Sequence, residues 1–116
     1  MPEEERVQTR RVFRDLLELI SDFSAQRKYE QDVPIANVPA ELVCMWFDDQ
    51  YHPDSTRFSD AFSSRERAAL ADFSAYYGAR KRVLPMSTGV DSLQATQEWA
   101  DVSEKARATL AELAPN

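Results

Sequence analysis

The chain has 116 residues, 43% of them hydrophobic, and a formal net charge of −6. That length suits one domain, spanning residues 1–116, around one core. The negative charge argues against direct nucleic-acid binding, which needs a basic face to displace counterions. The single cysteine, Cys44, excludes an internal disulfide and with it a disulfide-stapled secreted scaffold.

The opening Met1-Pro2-Glu3-Glu4-Glu5 is acidic where a signal peptide is basic. The longest uninterrupted apolar run, Leu42 to Phe47, is six residues, too short for a membrane span. Cytoplasm is the location these two features imply. A first helix is expected from about Glu3 to Arg27, with Pro2 and three acids at its positive end. Phe13, Leu16, Leu17, Ile20 and Phe23 recur on one face of it. Arg10, Arg11, Arg14, Asp15, Glu18 and Asp22 lie mostly off that face, as a solvated side with charge pairs three or four apart.

Pro34 and Pro39 break the next segment, and Val33 to Val38 is apolar enough to pack on the domain. A second helix is expected from Pro39 to about Gln50. Its apolar residues cover most of the circumference, so it is read as the central, most buried helix, with Cys44 a buried small hydrophobe. A short buried strand over residues 42–47 is the alternative. Residues 51–63 read as a loop pinned by Phe58 and Phe62.

Ser63-Ser64-Arg65-Glu66 has the spacing of a capping box. The third helix follows to about Tyr77, with Gly78 as its left-handed stop and Arg80-Lys81-Arg82 beyond its negative end. Val83 to Met86 is a connector, and Asp91-Ser92-Leu93-Gln94 a second cap opening a short helix. The last helix runs from about Gln97 to Leu113, with Trp99, Val102, Ala106, Leu110 and Leu113 inward and Pro115 ending it. Scarce glycine and few β-branched runs agree with an all-α fold, a bundle of four to five helices.

Chemistry concentrates in Met45-Trp46-Phe47-Asp48-Asp49-Gln50-Tyr51-His52-Pro53, which holds three aromatic rings, the only histidine and two adjacent acids. Rings supply contact area and acids supply steering, the combination a protein-binding surface uses. Asp54 and Asp60 extend the acids along the loop. The candidate partner-binding residues are therefore Asp48, Asp49, Tyr51, His52, Asp54 and Asp60. The plainer reading makes Trp46 and Phe47 core and the acids a solvated helix end. Residues 37–64 carry five acids and one base, whereas residues 65–82 carry two acids and five bases.

No enzyme is expected. Ser-His-Asp catalysis would have to use His52, and no serine stands in a nucleophile elbow. A Cys44–His52 pair would need an exposed, acidified thiol. No glycine-rich phosphate loop occurs, so no cofactor is expected. Asp48 or Asp49 with His52 could share a metal on a continuous helix, but one histidine followed by Pro53 makes a poor ligand set, and no metal is expected. Arg80-Lys81-Arg82 with Tyr76 and Tyr77 could hold phosphate, against the plainer reading of a charged helix end.

The segments Leu42 to Pro53 and Phe62 to Phe73 together resemble small acidic bacterial immunity proteins encoded beside toxins, of the contact-dependent growth inhibition type. The resemblance implies a cytoplasmic protein that binds a cognate toxin, commonly a basic nuclease, and blocks its active site. It carries over no binding residue of its own. The rival reading is a regulatory or adaptor subunit, homodimeric in one form of it, with an apolar interface.

Overall fold

A computed structural model describes residues 2–115; Met1 and Asn116 lie outside the described residues. Seven α-helices follow in chain order: α1 (Glu3–Ser21), α2 (Phe23–Asp32), α3 (Val38–Cys44), α4 (Thr56–Ala61), α5 (Ser64–Arg80), α6 (Val90–Gln94) and α7 (Gln97–Glu112). A π-helix, Met45–Gln50, continues α3, and a 3₁₀ turn, Lys81–Val83, continues α5. The described residues contain no strand, so the fold is all-α and residues 42–47 are helical.

The expected first helix is two. Asp22 takes an extended conformation (φ −120°, ψ 104°), and its carboxylate caps α2 by accepting from the Ala25 amide at 3.1 Å. At the break the Leu19 carbonyl accepts from the Asp22 amide at 3.4 Å, and the last carbonyls of α1 need further donors. The fully buried Gln26 repairs this: its Nε2 donates to the Leu19 and Ile20 carbonyls, both at 2.9 Å. Its Oε1 accepts from Trp99 Nε1 at 3.0 Å and from Gln94 Nε2 at 3.1 Å. Both amide hydrogens and both lone pairs are used, which a buried amide requires. This one side chain ties α1, α2, α6 and α7 together.

Val33 to Ala36 close a turn through the Ala36 amide and the Val33 carbonyl at 2.9 Å. Val38 is buried as expected, but Ile35 at the corner of this turn is 97% exposed. Asn37 caps α3 by accepting from the Ala40 amide. Val38, Leu42 and Trp46 of this rod are fully buried, while Cys44, Asp48 and Asp49 face solvent. The rod is thus amphipathic and lies on the core, and is not its centre. Cys44 stands about 200° round the helix from Leu42, which is why it is exposed and not buried.

The expected loop 51–63 contains α4, capped by Ser55, whose hydroxyl accepts from the Phe58 amide at 3.2 Å. The capping box at Ser63 and Glu66 forms as the spacing predicts. Helix α5 does not stop at Gly78, which keeps helical backbone, but runs to Arg80. Nor does Asp91 cap α6. Gly89 precedes it (φ 88°), and the Val90 amide donates to Glu30 Oε2 at 2.9 Å, from α2. Thr96 caps α7.

Helix α7 is the spine: α1 and α5 both pack along it, and α4 packs on α1. Between them stands a chain of rings, with Trp46 edge-on to Phe13 at 5.6 Å and to Phe73 at 4.9 Å between centroids. Burying each such side chain contributes about 1.5–3 kcal/mol.

Arg10 and Arg14 do not lie on a solvated face. Arg10 meets Glu66 in a bidentate pair, both contacts at 2.9 Å, with the two side chains 3% and 6% exposed. Arg10 also donates to the Ala61 carbonyl (2.9 Å) and the Ala114 carbonyl (2.7 Å). Glu66 accepts from the Ser63 amide (2.9 Å) and the Ala114 amide (2.8 Å). Arg14 donates to the carbonyls of Leu113 and Ala114. A charge pair fits inside the core because its remaining lone pairs and protons meet backbone groups.

Candidate functional site

The site is built where the rod α3–π-helix meets the following turn. In the π-helix the Tyr51 amide reaches back to the Trp46 carbonyl at 2.8 Å. The wide turn carries one more residue per turn than an α-helix, and the adjacent Asp48 and Asp49 are both exposed. His52 closes the end: its Nε2 donates to the Asp48 carbonyl at 2.9 Å. The Ser55 amide (3.0 Å) and hydroxyl (2.8 Å) both donate to the His52 carbonyl, which fixes the 52–55 turn.

Tyr51 is half-buried and not a free anchor. Its ring stacks on Trp46 at 5.1 Å with 10° between planes, and stands edge-on to Phe58 at 5.5 Å. Partial burial, then the nearby Asp54 charge, raises its phenol above the usual range. Asp48, Asp49 and Asp54 are exposed and make no ion pair among the described residues.

A cleft of about 210 Å³ opens beside this turn. Phe13 and Phe58 form its floor, and Asp49, Gln50, His52 and Arg57 stand on its walls. Arg57 is held from behind, its Nε donating to Thr9 Oγ1 at 2.8 Å. Asp60 is exposed on α4 but lines a different depression, shared with Arg6, Arg10 and Arg65. The structure therefore brings Asp48, Asp49, Tyr51, His52 and Asp54 to one end of the rod and leaves Asp60 in a separate depression of mixed charge.

The sequence reading missed Phe13, Arg57 and Thr9 as neighbours of this cleft. Phe13 and Thr9 come from α1, far away in the chain, and carry no local signal. Arg57 was visible only as the single base of residues 37–64.

The thiol of Cys44 is raised above its ordinary range, first by desolvation and then by a hydrogen bond to Asp48 and the charges of Asp49 and Glu41. Acids around a thiol disfavour the thiolate, the opposite of what a nucleophile needs. Among the described residues no group of three or more His, Cys, Asp or Glu is placed to hold a metal ion. No helix among them is long and apolar enough to cross a membrane. Two of the three bases at the end of α5 lie over rings of the same chain. The Arg80 guanidinium lies 3.5 Å from the Tyr76 centroid and Lys81 Nζ 4.1 Å from that of Phe47.

The fold and this site define the chain as an all-α protein with an acidic, ring-backed surface at one end of a helical rod. No family model matches it, and neither a curated protein sequence nor a solved structure does.

Proposed function

We propose that this protein is a protein-binding inhibitor, an immunity protein that neutralises a cognate basic toxin domain of the nuclease type in the cytoplasm. One observation carries the reading. No Lys or Arg occurs between Lys28 and Arg57, and within that span Asp48, Asp49 and Asp54 are exposed and unpaired. Exposed acids gathered on a stretch that carries no base attract a cationic surface and speed encounter with it. A nuclease active site is basic because it binds phosphates, so an acidic plug suits it. Neither catalysis nor a cofactor is needed.

The test has two stages. The tagged chain is used to capture partners from its source cells, and the salt dependence of release is recorded. Asp48, Asp49, Asp54 and Asp60 are then neutralised together to Asn. A basic partner whose affinity falls at least about tenfold, roughly 1.4 kcal/mol, supports the reading. Unchanged affinity removes it. The second reading, a homodimeric adaptor, is favoured by the 97% exposure of Ile35 on its turn. A sedimentation mass that rises with concentration and falls on Ile35→Ser would put that reading first.

A further inference from the structure

We infer that the cleft beside the π-helix is an anchor pocket for one arginine side chain of a protein partner. The inference rests on the reading of this protein as a binder of basic proteins and names what that site grips. The cleft's volume, about 210 Å³, is below the roughly 300–1,000 Å³ of an ordinary small-molecule pocket and suits a single side chain. Its floor is two nearly buried rings, Phe13 and Phe58, which accept an aliphatic stem or a guanidinium plane.

Its walls favour a donor with several N–H groups. The Asp49 carboxylate makes no ion pair. His52 spends its Nε2 proton on the Asp48 carbonyl, so that proton is not offered to an occupant. The Ser55 hydroxyl has already given its proton to the His52 carbonyl. The one base on the walls, Arg57, faces the one acid, Asp49, and its Nε is engaged by Thr9. Arginine suits this set better than lysine, because its planar, weakly hydrated head both stacks and forks.

The opposed charges of Asp49 and Arg57 supply a sign-specific test that requires no partner. N-acetyl-L-argininamide, capped so that it carries only the side-chain charge, is titrated into the full ¹⁵N-labelled chain. N-acetyl-L-leucinamide and free L-leucine serve as comparisons. Saturable shifts confined to the amides of Asp49 to Arg57 are expected for the arginine probe, weakening with salt. Asp49→Asn should weaken binding about threefold or more, and Arg57→Gln should tighten it. Both side chains are exposed, so neither change disturbs the core.

Equal binding of the leucinamide probe, unaffected by Asp49→Asn, overturns the inference in favour of an apolar anchor. Weakening by both variants, with free leucine binding best, overturns it in favour of a zwitterionic amino acid. No saturable shift overturns it outright. If these probes fail while a basic partner still binds through the acids, only the pocket assignment falls. If the arginine probe binds as expected and no basic protein partner exists, the proposed inhibitor function falls instead.

Discussion

At the residue scale, Glu66 and Gln26 decide more than their sequence positions announce. Glu66 has its carboxyl held down to about 2, first by its hydrogen bonds with Arg10 and then, against the cost of burial, by the Ser63 and Ala114 amides. Its folded pKa thus lies below the ordinary value of 4.5. The stability this gives is present above about pH 4.5 and is lost as pH falls from there toward 2. A series of urea midpoints between pH 7 and pH 2 checks it, and Glu66→Gln should flatten the acid limb of that series. The same variant should cost roughly 3–5 kcal/mol at neutral pH, because it strands the buried Arg10 charge. Gln26→Ala should cost about 2–4 kcal/mol in the same assay. It removes the Gln26 partner from the Ile20 carbonyl and from Trp99 Nε1, and leaves the Leu19 carbonyl with the Asp22 amide.

At the element scale, two glycines behave oppositely for a geometric reason. Gly78 sits inside α5 with helical backbone, and a Cβ added there would meet Phe47 Cε1 at 3.7 Å, an ordinary contact. Gly78→Ala should therefore stabilise by about 0.5–1 kcal/mol, since alanine loses less backbone freedom in a helix. Gly89 has φ 88° and ψ 175°, a region that side chains exclude, and its Cβ would stand 3.3 Å from Glu30 Oε2. Gly89→Ala should destabilise by about 1–3 kcal/mol and loosen the start of α6. Thermal melts of the two variants beside the parent give the two signs directly. Sequence alone offered Gly78 as a helix stop, because a glycine at the end of an apolar stripe followed by bases looks like one. What overrides that signal is packing: Phe47 lies on Gly78, with Lys81 over the same ring, so the helix continues beneath them.

At the scale of the whole molecule, the charge distribution carries the functional prediction. The neutralised form lacking the charges of Asp48, Asp49, Asp54 and Asp60 should keep its melting temperature within a few degrees, because these acids make no ion pair. Its association rate with a cationic partner should fall and lose most of its salt dependence, which stopped-flow mixing at two ionic strengths measures. Asp60→Asn alone should contribute little to that loss, since it lies in a depression apart from the other three acids.

The all-α class, the capping box at Ser63, the acidic surface at 48–54 and the inward stripes of α1 and α7 were legible in the sequence, because each depends on spacing within one segment. The break at Asp22 was not. An isolated α1 would run on past it, and what stabilises the break is Gln26 bonded to Trp99 and Gln94, residues some seventy positions away. Arg10 read as a surface charge for the same reason: its carboxylate stands on α5 and its carbonyl partners on α4 and beyond α7. The cleft beside Asp49 belongs wholly to the tertiary structure, since its floor is joined from α1 and α4. The sequence by itself determined which segments are helical, where local signals cap them and where charge gathers. Only the packed chain decided which polar groups are buried, which helices are interrupted and what lies opposite the acids, because those follow from contacts that no local pattern encodes.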